Sequence, residues 1–472
     1  MLNKMKSASG GKTTVLLINP PLYFDSQFQP QSLDVSLPHL GLLYLATYIN
    51  HHSKIFKAKI IDIGARNLDL KQVTNKIKAT NPFAVCLTAM TPQLQGLHTL
   101  ATAIRQIGPQ TVILGGPHIS GDPDFINRHP RLFDYAITGE AETTLLKSLD
   151  KLRLRQKIPT IQAGKVTRNL NRLPLPDRRL INRRLYQPTE SMLFSRGCPF
   201  HCYYCSRPAI SRLVRYRSVS NMISEIKQTY QHHHGLIDFQ DDTFTLRQPP
   251  VINLCQTIIR QKLKLSWACN TRVDMVDKKL LTLMKKAGCR QVNFGIESAS
   301  FRLRRQIIKK GNFTNPQIKK TFQTCKKLGI KVAAYFMIGH PTETKKNLQA
   351  TQKMILTYPI DILGLSIPLP FPGAPLYRIA QKQNIISSEI IDDFACGKMG
   401  SGYSNIYPQY HTPTLPLDYL HQQMTSINRR FYLRPRTIFS NFKTIISSPQ
   451  KSLNDLASLI KYGMSSRKPY KK

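Results

Sequence analysis

The segment FSRGCPFHCYYCSRP, residues 194–208, sets three cysteines, Cys198, Cys202 and Cys205, in the pattern CxxxCxxC. Thiolates on one short loop are ligands for soft metals, and three of them can hold three irons of a cubane cluster, where a saturated cubane takes four. The fourth iron then keeps an open position for a chelating molecule. Gly197 and Pro199 suit a tight loop around a metal. A zinc knuckle with His201 as fourth ligand is the alternative, but zinc sites usually come as two close ligand pairs and no second pair lies near. The other six cysteines, Cys86, Cys255, Cys269, Cys289, Cys325 and Cys396, are scattered through apolar or helical contexts and read as free thiols.

A loop of this kind needs a scaffold, and the chain supplies two. Short runs rich in β-branched residues at 15–19, 59–63, 84–88, 111–114 and 135–138 alternate with helical patterns such as Leu40, Leu43 and Tyr44. Such alternation predicts a Rossmann-like, doubly wound parallel sheet whose ligands bind at the strand C-terminal ends. Those ends carry Asn19-Pro20-Pro21, Gly115-Gly116-Pro117-His118 and Gly139-Glu140. Residues 151–187 are basic, contain Pro174 and Pro176, and read as a linker. Further strands are expected at 191–195, 236–240, 266–268, 291–295, 332–338 and 362–367, with helices at 219–230, 251–261 and 278–287 between them. Six strands with helices between suit a partial (β/α)6 TIM-like barrel. After residue 400 a helical C-terminal region is expected, with amphipathic stretches around 438–446 and 453–460.

The cysteine loop and the segments beyond it resemble the radical S-adenosylmethionine (SAM) superfamily. The supporting motifs are DFQDDTF (238–244), NTRVD (270–274), NFGIES (293–298) and MIGHPTET (337–344). The resemblance implies a [4Fe–4S] cluster on Cys198, Cys202 and Cys205, whose free iron binds the amino and carboxylate groups of SAM. One electron from the cluster then cleaves SAM to a 5′-deoxyadenosyl radical. By the same resemblance Tyr204, Asp241, Asp242, Arg272, Glu297, Ser298 and Gly339 are candidate contacts to SAM or cluster.

The front of the chain is similar to the cobalamin-binding domain of a large radical SAM class. The matching segments are INPP (18–21), PHLGLLYLA (38–46), LTAMTPQ (87–93), LGGPH (114–118) and ITGEAE (137–142), with LPLPDRRL (173–180) and FYLRP (431–435) beyond them. Asn19, Pro20, Gly41, Thr88, Ala89, Gly115, Gly116, His118, Gly139 and Glu140 are the implied cobalamin contacts. The D-x-H-x-x-G motif of histidine-ligated cobalamin proteins is missing: its only likeness, Gly116 to Gly121, begins with Gly and follows the fourth strand. His118 is therefore expected in the loop rather than on cobalt. The implied organisation is a flexible tail (1–13), a cobalamin-binding domain (14–150), a basic linker (151–187), a radical SAM core (188–400) and a basic helical region (401–472). C-methylation of an unactivated carbon is the expected reaction, with anaerobic oxidative cyclisation or ring rearrangement as the other enzymatic reading. From a different class, the chain could be a basic binding protein with a structural or sensing cluster.

The chain holds 68 Lys and Arg against 26 Asp and Glu, a net charge of +42 over 472 residues. Eleven basic residues stand against Asp177 alone in 151–184, and eleven against Asp455 alone in 429–472. Such a surface attracts polyanions, whether an anionic membrane or nucleic acid, or it is a solvated linker and tail. The apolar run Val15 to Ile18 is too short for a signal-peptide core, so the expected compartment is the cytoplasm, with attachment to the inner membrane face open. Expected partners are a small-molecule or lipid substrate and a one-electron reductant such as flavodoxin or ferredoxin. The glycines and lysine of SGGKTT (9–14) do not complete a phosphate loop, since Lys6 stands where the first Gly is required. His232, His233 and His234 read as a helix end, where histidines complement the dipole.

Overall fold

The computed structural model describes residues 12–32, 37–230, 235–400, 407–435 and 437. The histidine run, the first part of SGGKTT and the amphipathic stretches from 438 onward lie outside them.

The front domain is a six-stranded sheet of β1 (Thr13–Asn19), β2 (Phe56–Asp62), β3 (Ala84–Thr88), β4 (Thr111–Gly115), β5 (Tyr135–Thr138) and β6 (Ile161–Ala163). The spatial order is β2-β1-β3-β4-β5-β6, and every neighbouring pair is parallel. The order reverses between β1 and β3, which opens a crevice at their C-terminal ends. Buried on both faces, these strands read as continuous apolar runs, as Val15 to Ile18 shows. Helices α1 (Leu40–His52) and α5 (Glu142–Arg153) cover one face through Leu42, Leu43, Ala46, Leu145 and Leu149. The other face is covered by α2 (Leu70–Thr80) and α3 (Leu94–Ile107), while α4 (Pro117–Gly121) begins straight after β4.

The second domain has six parallel strands in sequence order: β7 (Thr189–Met192), β8 (Leu236–Phe239), β9 (Trp267–Thr271), β10 (Cys289–Glu297), β11 (Lys331–Met337) and β12 (Ile362–Ser366). The edge strands β7 and β12 do not pair with each other, so the barrel is partial. Helices α6 (Val219–Tyr230), α7 (Gln248–Arg260), α8 (Lys278–Lys286), α9 (Asn315–Lys327) and α10 (Lys345–Thr357) follow its first five strands in turn. Thr344 and Asn347 close a capping box that starts α10 where the MIGHPTET segment ends. After the barrel, α11 (Pro375–Lys382) and α12 (Ile390–Ala395) return to the front domain, and Leu376, Ala380, Ile391 and Phe394 share a core with Leu94, Leu97 and Leu100.

One segment differs from its reading as sequence. The stretch 151–187 is built into the fold: β6 extends the front sheet, and Leu170 and Leu173 pack with Tyr44. Its charge is used as well, since Arg178 donates to Glu190 and Glu225 at 2.7 Å each and the Asp177 amide donates to Thr47 Oγ1. Composition misled at Arg178 because its partner Glu225 lies 47 residues away in sequence, while most of the segment's other basic residues are exposed. At the other end, α13 (Leu417–Tyr432) seats Leu420, Ile427 and Phe431 in the barrel core. Arg434 of FYLRP donates to the carbonyls of Ile355, Leu356 and Ile360 and so closes the C-terminal end of α10. That part of the basic tail is structural. No helix among the described residues is long and apolar enough to cross a membrane.

Candidate functional site

The cysteine loop leaves β7 and is pinched at its base. Ser195 and Arg196 pair antiparallel with Arg215 and Tyr216, so residues 197–214 form a closed excursion. Gly197 has φ +95°, and a Cβ there would fall 2.2 Å from the Leu213 carbonyl oxygen. Only glycine allows that crossing. Beneath it, Asp241 is fully buried and accepts hydrogen bonds from the Phe194 and Ser195 amides and the Ser195 hydroxyl. Burial pushes its carboxyl up to about 7, although those donors hold it back. Asp241, expected at SAM, is thereby committed to holding the loop's base.

All three cysteines of the loop are free thiols. Burial raises Cys198, and burial raises Cys205 to about 11; nearby Cys202 and Asp242 push each further up. The three cysteines do not form a trio with every donor within 4.8 Å of the others; among the described residues only His98, His129 and Cys396 do. A single tetrahedral zinc would hold its sulfurs about 3.8 Å apart, whereas a cubane binds each thiolate to a different iron and spreads them further. His201 is exposed, with Arg212 Nη1 3.0 Å from its Nε2. The donor set fits three irons of a cluster better than a zinc knuckle.

Around this loop the barrel supplies ion pairs. Glu297 ends β10 at φ +68°, a strained conformation for a side-chain-bearing residue, next to a register shift between Gly295 and Glu297. The turn aims its carboxylate at Tyr204, whose hydroxyl donates at 2.7 Å, and at Lys310 Nζ, 3.1 Å away. Burial and then Glu297 raise the Tyr204 phenol well above its ordinary value. Burial alone would lower Lys310, but Glu297 and Cys202 outweigh it and hold the ammonium charged. Gly295 makes room for this pair, because a Cβ there would lie 2.6 Å from Lys310 Nζ. Arg272, 4% exposed, is paired with Asp274 and lies 3.8 Å over the Phe200 ring of the cysteine loop. Its Nη1 is buried with no hydrogen-bond partner, which fits a donor waiting for an anionic group.

Ser298 and Gly339 do other work. Ser298 is fully buried, its hydroxyl accepts from the Ser300 amide at 3.2 Å and its carbonyl accepts from Arg304. Gly339 has φ +93°, and a Cβ there would meet Leu420 of α13 at 2.7 Å. Nearby, Tyr203 and His340 are hydrogen-bonded at 2.8 Å and buried. Lys310, Phe200, Tyr203 and His340 are site residues that motif and spacing did not single out. The last three lie inside recognised motifs, whose letters do not say which way a side chain points, and Lys310 lies outside them all.

Facing the loop across a cavity of about 460 Å³ is the C-terminal edge of the front sheet. Gly41, Thr88, Gly115, Gly116, Gly139 and Glu140 line it from that domain, and Ser195, Gly197, Arg207 and Asp242 from the other. A volume of this size is in the range of cofactor sites, about 300–1,000 Å³. Asp242 is held by Arg207 at 2.9 Å. The two domains are tied at the rim: Glu140 pairs with Arg215, and Arg196 pairs with Glu142 at 2.8 Å while lying 4.6 Å over the Tyr44 ring. Burial pushes the Glu140 carboxyl up, but Arg215 and Arg196 bring it below its ordinary value. Glu140 thus serves the domain junction.

Asn19, Pro20, Ala89 and His118 stand behind the lining. Gln93 donates to Asn19 Oδ1 and to the Pro20 carbonyl, fixing the β1 turn at the crevice. The Ala89 amide and carbonyl bracket Gly116. His118 is 2% exposed, bonds Thr91 Oγ1 at 3.0 Å and has Asp122 3.9 Å away. Burial lowers its imidazole to about 4. A neutral ring inside α4, engaged by Thr91 and behind the lining, corrects the loop position expected of it.

Comparison with known proteins finds matches for both domains. The family model described as "Radical SAM superfamily" matches residues 192–355, and that described as "B12 binding domain" matches residues 32–148. An uncharacterized methyltransferase of Pyrococcus horikoshii is 29% identical over 449 residues, covering 90% of this chain and 94% of its own length. The anaerobic magnesium-protoporphyrin IX monomethyl ester cyclase of Rubrivivax gelatinosus is 28% identical over 371 residues, covering 72% of this chain and 66% of its own. The radical SAM methyltransferase TsrM of Kitasatospora setae, solved with tryptophan and a SAM analog, has a TM-score of 0.73 and 18% identity, covering 90% of each chain, a likeness of fold.

Proposed function

This chain belongs to the radical SAM superfamily, in the class that carries a B12-binding domain, and from that premise we propose that it methylates an unactivated carbon of its substrate. Its cofactors are a [4Fe–4S] cluster, SAM and cobalamin. The observation that carries the reading is the shared cavity, lined by the glycines of the sheet edge on one side and by Gly197, Arg207 and Ser211 of the cysteine loop on the other. Radical generation and methyl delivery must reach one carbon, and proximity of this kind is what a two-cofactor reaction needs.

When bound, the cluster would supply the electron for SAM cleavage and cobalamin would carry the methyl group; the protein's part is placement and shielding. Cys198, Cys202 and Cys205 hold the cluster, on a loop anchored by Asp241 and the Gly197 crossing. Arg272 offers its free N–H to the SAM carboxylate, while Phe200 keeps the guanidinium flat against the loop. Asp242, beside the thiols and paired with Arg207, is the carboxylate available to the SAM amino group. Gly115, Gly116 and Gly139 let the sheet edge approach a corrin closely. We assign the cobalamin domain to 14–150, with 151–187 as a strap to the core at 188–400. A net charge of +42 suits acidic one-electron donors such as flavodoxin or ferredoxin, and also the anionic inner face of the membrane.

Oxidative cyclisation is the second reading, favoured by the 28% identity to the Rubrivivax cyclase. Reconstituted anaerobically with cobalamin and SAM carrying a labelled methyl group, then supplied with cell extract and reductant, the chain should release 5′-deoxyadenosine and place the label in a product. Cobalamin-dependent turnover with no label transferred would favour cyclisation. A cluster that never cleaves SAM would leave the sensor class standing.

A further inference from the structure

Away from the cavity, three donor side chains from separate elements converge where the front domain meets the segment after the barrel. His98 lies on α3, His129 follows the short helix Phe125–Arg128, and Cys396 follows α12. One donor atom from each lies within 4.8 Å of the other two. Cys396 Sγ is 3.6 Å from His98 Nε2. With Zn–N about 2.0–2.1 Å and Zn–S about 2.3 Å, tetrahedral geometry sets that separation at about 3.6 Å.

The surroundings already orient both rings. His129 Nδ1 lies 3.0 Å from the Phe125 carbonyl oxygen, so that nitrogen carries the proton and Nε2 keeps the lone pair. A metal-bound imidazole characteristically donates its far N–H in this way. The Phe125 ring stacks on His129 at 4.3 Å, and His98 meets His129 edge-on at 5.8 Å. Asp392, one turn before Cys396, places Oδ1 3.8 Å from His129 Nδ1, and that oxygen is buried without a hydrogen bond. Its other oxygen accepts from Arg128, which also pairs with Asp122, so the nearby cation is neutralised. Cys396 is exposed, which leaves an entry path and room for a water as fourth ligand.

We propose that His98, His129 and Cys396 bind a zinc ion that clips the front domain to the segment after the barrel. One thiolate and two imidazoles are a zinc donor set, and the site joins elements 298 residues apart in sequence. The ion would fix α12 on α3, beside the point where Gln95 Nε2 donates to the Gly400 carbonyl at 2.7 Å. It is independent of the cysteine loop, and of the reaction proposed above.

The test counts zinc in a chain whose Cys198, Cys202 and Cys205 are all changed to Ala, purified without cobalamin, so that the loop cannot contribute. One tightly held zinc per chain is expected after desalting. Cys396→Ser and His129→Ala, each added to that background, should weaken zinc binding by about 100-fold, since each removes a direct ligand. Cobalt(II) added in place of zinc should give thiolate-to-cobalt charge-transfer absorption that Cys396→Ser abolishes. Zinc bound equally by parent and variants would overturn the proposal. If the variants fail to fold, the cobalt spectrum of the parent decides alone, and absence of thiolate bands refutes the site.

Discussion

Gly115→Leu places a side chain in the cavity at its front-domain wall. A Cβ on Gly115 would have one neighbour within 4 Å, the Ile137 carbonyl oxygen at 3.5 Å, an ordinary contact. The strand therefore tolerates the change, and replacing a strand glycine removes a source of weakness. Cobalamin does not tolerate it, because the added carbons occupy volume that the ligand needs and β4, hydrogen-bonded between β3 and β5, cannot retreat. Overpacking costs about 1–3 kcal/mol. At tenfold per 1.4 kcal/mol, cobalamin affinity should fall about 5- to 150-fold. Gly116→Leu is the contrast: φ is +99°, and its Cβ would sit 2.6 Å from Thr88 Oγ1 and 2.7 Å from the Ala89 amide nitrogen. That substitution should lower stability itself, by at least about 1–3 kcal/mol for the backbone conformation alone. The assay is equilibrium cobalamin binding by absorbance, with iron content and thermal midpoint measured on the same samples. Gly115→Leu should keep both iron and midpoint while losing affinity. Wild-type affinity in that variant would refute the cavity as the cobalamin site, and parallel loss of iron would refute the independence of the two cofactors.

Replacing Cys198, Cys202 and Cys205 together with Ala should remove the cluster's iron, about four atoms per chain, and all SAM cleavage, whereas Cys86→Ala or Cys255→Ala should leave both; iron analysis and 5′-deoxyadenosine release decide. Asp241→Asn turns one accepting oxygen into a donor facing the Phe194 or Ser195 amide, which should cost about 1–3 kcal/mol and loosen the loop; faster loss of iron with unchanged cobalamin binding is expected, and full iron retention with unchanged stability would show that the loop does not depend on Asp241. The His118 imidazole is lowered from 6.5 to about 4 by burial, so its contribution to stability is fully present above pH 6.5 and is lost as pH falls toward 4. About 2.5 units at 1.36 kcal/mol each gives a loss of about 3 kcal/mol, seen as a steeper decline in denaturant stability of the cobalamin-free chain between pH 7 and 4.5 than in His118→Gln. In the cobalamin-loaded Co(II) form, electron paramagnetic resonance should show no splitting from a protein imidazole; clear splitting would bring His118 onto the metal.

Chemistry carried by adjacent residues was legible in the sequence. CxxxCxxC lies on one loop, so its spacing is its geometry, and the alternation of strand and helix announced both parallel sheets because buried parallel strands are continuously apolar. The glycines at the ends of β4 and β5 marked the edge that lines the cavity. What spacing could not assign was the partner of each polar group. Asp241 and Asp242 are neighbours in sequence, yet one is sealed under the loop by Phe194 and Ser195 and the other lines the cavity, paired with Arg207. Glu297 and Lys310 become a pair only because β10 turns at a positive φ and Gly295 leaves room beside it. Arg178 looked like part of a solvated linker until the fold brought Glu190 and Glu225 to it. Tertiary structure also decided that Gly339 makes room for Leu420, and that His98, His129 and Cys396 meet at all. Sequence fixes which groups are present and how neighbours point; long-range packing decides which charges find each other, because their desolvation is offset only when the folded chain supplies a counter-charge or hydrogen bond within reach.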